Sequence, residues 1–151
     1  MIGLIDKRKI NKIDNHFIDI KNIPLNKKYD RIISIATFEH ILDLPDVIAK
    51  AIIHLHKDGV LNIAIPSEGS FLWGLSWRIS TGVSYYLRNK CSYTPVMRYE
   101  HVNNAEEIIS LLNLFFLNVR KKRFPLPFFN LSVYTYLECK TPNYNILKNI
   151  I

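Results

Sequence analysis

The sequence predicts an α/β fold with a mostly parallel sheet that ends in an antiparallel C-terminal hairpin. Three observations predict it. Residues 31–35 and 60–65 are short apolar runs rich in β-branched residues, the pattern of strands covered on both faces of a parallel sheet. Between them, Val47, Ile48, Ala51, Ile52 and Leu55 recur at helical spacing. A strand, a helix and a strand with short connections make a βαβ unit, whose two strands run parallel. Near the end of the chain, residues 118–123 and 131–138 are two further strand-like runs, and the link between them is short enough for an antiparallel pair.

Taken in order, residues 2–5 predict a strand that stops at Asp6, and residues 16–20 predict a second. Pro24 breaks the pattern before the strand over 31–35. Pro45 suits the first turn of the following helix, where a missing N–H costs nothing. Gly59 is placed to cap the end of that helix in a left-handed conformation. Pro66 stops the next strand. Residues 69–89 carry Phe71, Trp73, Trp77, Tyr85 and Tyr86 among small residues, a partly helical segment interrupted by Gly74 and Gly82. Asn104 and Glu107 have the spacing of a capping box, so a helix begins there, with Ile108, Leu111, Leu112 and Phe115 on its apolar face. The last ten residues look like a frayed tail. The expected organisation is one domain over 1–140, with a lid or substrate-side insertion over 70–100, and a tail over 141–151.

Composition bounds the function. With 151 residues, 48% of them hydrophobic, the chain is long and apolar enough for one folded core, which excludes disorder. The net charge of +7 permits an anionic partner but demands none, and no nucleic-acid recognition motif is present, so no nucleic acid is expected. Two distant cysteines, Cys91 and Cys139, form no metal or disulfide pattern and fit a cytoplasmic protein with reduced thiols. No apolar run approaches the ~20 residues needed to span a bilayer.

Three segments carry a resemblance. Tyr29-Asp30, the strand over 31–35 and Phe38-Glu39-His40 resemble the fourth-strand motif of class I S-adenosylmethionine-dependent methyltransferases, of the type 11/12 kind. Lys57-Asp58-Gly59 with the strand over 60–65 and Pro66 is similar to that family's next turn and fifth strand. Residues 17–25, with Asp19 and Leu25, resemble its third-strand segment. The three lie in the family's order over residues 16–66. The region from Tyr99 to Leu126 is similar, more loosely, to bacterial members of glycan or small-molecule pathways.

The resemblance implies a Rossmann-like sheet, S-adenosylmethionine as cofactor, and methyl transfer to a small-molecule or glycan-precursor acceptor. It implies that Asp6 meets the ribose hydroxyls. Asp19 would meet the adenine amino group, with Ile20 giving a backbone N–H and an apolar wall. Ile35 and Ala36 would lie beside the methionine portion. His40 and His101 are the candidates for proton transfer. Relatives that bind a metal beside this Glu-His motif use a glutamate three residues before it; Ala36 stands there, so no metal is expected. The five glycines form no Gly-x-Gly pair. The family's glycine-rich loop and first strand would precede Asp6, so the expectation is an N-terminally truncated domain lacking both. Two other functions follow from that. A pseudo-methyltransferase could bind a protein partner that completes the sheet. A peripheral membrane protein could use the aromatic and basic residues between Trp73 and Lys90.

Overall fold

A computed structural model describes Asn15 and residues 17–148. The expected strand over residues 2–5, with Asp6, lies outside the described residues, as does His16. Four strands form one sheet: β1 (Tyr29–Ile35), β2 (Leu55–Pro66), β3 (Phe116–Pro125) and β4 (Ser132–Pro142). Their order is β1-β2-β4-β3. β1 and β2 are parallel, while β4 is antiparallel to both β2 and β3. The expected C-terminal hairpin is therefore present, but among the described residues the sheet is mixed rather than mostly parallel, because β4 returns antiparallel beside β2 and leaves one parallel pair against two antiparallel ones.

The core lies on one face of this sheet. In register, Leu61, Ile63 and Ile65 of β2 face the same way as Leu137 and Cys139 of β4. Helices α1 (Leu44–Ile53) and α5 (Ala105–Phe115) cover that face with Leu44, Ile48, Ile52, Ile108, Leu112 and Phe115, all buried. Asp43 caps α1 with its side chain, and Pro45 occupies its first turn. The capping box of α5 forms as its spacing predicts: Asn104 accepts from the Glu107 N–H at 3.0 Å, and Glu107 accepts from the Asn104 N–H at 2.9 Å.

Five further expectations need correction. Residues 17–19 are not a strand; Asp19 instead caps a 3₁₀ turn over Ile20–Asn22. β1 is not covered on both faces, because Ile33 and Ile35 are 62% and 65% exposed on the side away from the core. Neither Leu55 nor Gly59 belongs to α1, which ends at Ile53; both lie within β2, where a Cβ added to Gly59 would sit 2.9 Å from the His56 carbonyl and 3.0 Å from that of Tyr29. Glycine is required there by close backbone approach, not by a left-handed turn. The segment after β2 is less interrupted than expected. Helix α2 (Phe71–Trp77), a π-turn over Arg78–Gly82 and helix α3 (Val83–Asn89) follow one another without a break, with Gly74 inside α2. Finally, the chain beyond 140 is not a frayed tail over its described part: β4 runs to Pro142, and α6 (Tyr144–Leu147) buries Leu147 in the core. Helix α4 (Thr94–Glu100) completes the α-helices among the described residues.

Candidate functional site

The C-terminal ends of β1 and β2 open toward the same side, the place where parallel α/β sheets bind ligands. After β1 the chain turns sharply. Ala36 adopts a left-handed conformation (φ 48°), unusual for a residue with a Cβ, while its N–H donates to the Ala64 carbonyl at 2.8 Å. A 3₁₀ turn over Phe38–His40 follows and buries Phe38 and Glu39.

A second segment is tied onto this turn. The Glu39 carbonyl accepts from the N–H groups of Val102 and Asn103, at 2.8 and 3.2 Å. The Asn103 side-chain amide donates to the carbonyls of Phe38 and Ile41, at 2.9 and 2.6 Å. His40 Nδ1 donates to the Glu100 carbonyl at 2.8 Å. These bonds join residues some sixty positions apart in the chain, and they set His101 beside His40 with ring centroids 4.7 Å apart, edge to face.

His101 has a further partner. Its Nδ1 lies 2.7 Å from Glu68 Oε2, just past the end of β2. An ionised carboxylate only accepts, so Nδ1 donates and Nε2 is the nitrogen left to take a proton. Both side chains are largely shielded, at 12% and 20% exposure. Burial pushes the Glu68 carboxyl above its usual value of 4.5; the hydrogen bond and charge of His101 pull it back, and the Glu39 charge adds to the rise. Glu39 is 2% exposed, and its Oε2 has no hydrogen-bond partner.

Glu68 also lines a cleft of about 580 Å³, together with Ser70, Trp73, Trp77, Met97 and Phe129. That volume suits a small molecule. Trp73 borders both the cleft and His101, with ring centroids 6.1 Å apart. Arg78 stacks 4.7 Å over the Trp77 ring at the same cleft.

The structure thus brings His40 and His101 together and adds Glu68 and Glu39. Sequence reasoning gave Glu68 no role; the only signal for it was a carboxylate two residues past the end of a strand. Ile35 ends β1 and Ala36 directly follows it, both exposed. Asp19 is exposed and accepts from the Lys21 N–H at 2.9 Å, a turn-capping role, while Ile20 is half-buried in that turn. Asp6 lies outside the described residues. Among the described residues, no group of three or more His, Cys, Asp or Glu side chains is arranged to hold a metal ion.

No protein-family model matches the chain, and no curated protein matches it by sequence. Solved structures do match. One is the N-methyltransferase NodS from Bradyrhizobium japonicum WM9 in complex with S-adenosyl-L-homocysteine. It is 15% identical, with a TM-score of 0.51, over 83% of this chain and 52% of that one. Another is an S-adenosylmethionine-dependent methyltransferase from Thermotoga maritima, a possible histamine N-methyltransferase. It is 17% identical, with a TM-score of 0.53, over 81% of this chain and 61% of that one. The chain has the Rossmann-like α/β fold of these methyltransferases. It spans about half to three-fifths of their length.

Proposed function

We propose that this chain takes part in methyl transfer from S-adenosylmethionine to a small-molecule acceptor held in the cleft beside Glu68. The observation that carries the proposal is positional. On a sheet shared with two such methyltransferases, an aromatic cleft and a largely shielded carboxylate–imidazole pair both sit at the C-terminal end of the parallel strands.

The described residues fit one wall of a cofactor site. Ile35 and Ala36 offer an exposed apolar strand end at which the left-handed turn at Ala36 redirects the chain. The described glycines form no cradle there: Gly59 lies near Tyr29, at the opposite end of β1. S-adenosylmethionine, when bound, supplies an electrophilic methyl group. The chain's own residues prepare the acceptor. Trp73 and Trp77 hold it in the cleft, and His101, which lies behind the cleft residues Glu68 and Trp73 rather than in the lining itself, is the base that its hydroxyl or amine reaches. Glu68 keeps the imidazole in the tautomer that allows this and stabilises the imidazolium that forms. His40, tied to the Glu100 carbonyl, positions the segment that carries His101.

Calorimetric titration with S-adenosylmethionine, followed by a methylation screen of small amines and phenols, tests this. Cofactor binding and a turnover that falls about 100-fold in His101→Gln are expected. Turnover indifferent to His101 would sink the proton-transfer role. A folded chain that binds no cofactor would sink the function itself.

One observation favours a second function, a non-catalytic protein that binds a polypeptide along β1. Among the described residues β1 pairs only with β2, and none of them pairs with its other edge, beside the exposed Ile33 and Ile35. Such a protein would pull down a strand-forming partner and show no cofactor binding.

A further inference from the structure

The helical run from Phe71 to Asn89 differs from the other long helices in having no buried residue in any of its three parts. One side of it is occupied. Trp73 packs toward His101, and Trp77 and Tyr85 pack toward Tyr93, with centroids 6.1, 6.1 and 5.0 Å apart. The other side carries a row of large apolar residues at every fourth position. Phe71, Leu75, Ile79, Val83 and Leu87 are 69%, 42%, 63%, 50% and 63% exposed.

A row at every fourth position should not stay straight. Four residues of α-helix rotate by about 400°, so each step slips about 40° around the axis. The π-turn over Arg78–Gly82 is wider and rotates less per residue, and it falls across the step from Ile79 to Val83. It offsets part of the slip that the other steps accumulate, so the five exposed apolar side chains drift by only about 100° and form a stripe that stays on one broad side of the run.

The charge around the stripe is one-sided. Residues 69–99 contain Arg78, Arg88, Lys90 and Arg98 and no Asp or Glu. Arg88 and Lys90 are exposed at the end of the run. We propose that the outer face of the Phe71–Asn89 run docks on an anionic lipid bilayer. The stripe would enter the boundary between headgroups and acyl chains, with Arg88 and Lys90 against lipid phosphates. No described helix is long and apolar enough to cross a membrane, so the run would lie in the surface. Charge argues against a second copy as the occupant. A two-fold pairing of the same stripe would bring its own uncompensated cations together. The proposal stands independently of methyl transfer.

Co-sedimentation of the full chain with vesicles tests it. Binding is expected to vesicles of phosphatidylcholine with phosphatidylglycerol, much less to phosphatidylcholine alone, and to weaken as salt rises. Replacing Ile79→Asp and Leu87→Asp together should lower the bound fraction about tenfold or more. Replacing Arg88→Gln and Lys90→Gln should lower it about fivefold per charge. Variants are compared at equal far-UV circular dichroism; should the aspartate pair unfold the chain, Ile79→Ser with Leu87→Ser replaces it. The proposal is overturned by no binding to anionic vesicles, by equal binding to neutral ones, or by folded stripe variants that bind like the wild type. A dimer that Ile79→Asp dissociates, with no vesicle binding, would assign the stripe to a second copy and overturn it as well.

Discussion

Helices α1 and α5 and the helical run Phe71–Asn89 are all rich in apolar residues, yet they sit in opposite environments. Each of the first two buries five residues against the sheet, whereas the run buries none. Burying one large aliphatic or aromatic side chain is worth about 1.5–3 kcal/mol, so α1 and α5 are held by the core. The run is held at its inner side by partly exposed aromatic contacts and at its start by Ser70. The Ser70 hydroxyl accepts from the Trp73 N–H and donates to the Ser132 carbonyl. Apolar content alone therefore does not say what a helix is for. In one region it builds the domain; in the other it stays available to cleft and surroundings.

The comparison can be broken or sharpened by mutation, beginning where the effect is largest. Phe115→Ala, in α5, should cost about 3–5 kcal/mol in urea unfolding; a cost under about 1 kcal/mol would mean that α5 is not part of the central core. Asn104→Ala, which removes one arm of the capping box, should cost about 1 kcal/mol, with Gly in its place costing less than Ala. Ile79→Ser, on the exposed stripe, should change stability by no more than about 0.5 kcal/mol. A loss comparable to that of Phe115→Ala would show that the stripe is packed and erase the contrast.

Glu68 supplies the last and smallest test, by its pH dependence. Burial raises its carboxyl above 4.5, so the folded chain holds this proton more tightly than the unfolded chain. The stability this gives is full below 4.5 and is lost as pH rises through the folded-state value. Glu68→Gln carries no such proton. Its melting temperature relative to wild type should therefore climb across that window, and a flat difference would show that Glu68 is not desolvated.

The sequence by itself determined the elements whose cause is local. The capping box at Asn104 follows from two side chains three residues apart, and the existence and start of the helix after β1, though not its end at Ile53, from its apolar spacing and Pro45. The parallel pairing of β1 with β2 follows from the short connection through that helix, and the antiparallel β3–β4 pair from the short link between them. Only the tertiary structure decided the rest. Whether β1 is covered depends on what packs on the far face of the sheet, which a β-branched run does not report. Gly59 looks like a helix cap from its neighbours in sequence, but its reason is the close approach of the His56 backbone in its own strand and of the Tyr29 carbonyl from β1. The pairing of His101 with Glu68, 33 residues earlier, rests on the backbone and Asn103 bonds that bind residues 38–41 to residues 100–103. The backbone bonds join groups that every residue carries alike, and the Asn103 side chain finds its acceptors some sixty positions away, so the residue types along the chain could not foretell them.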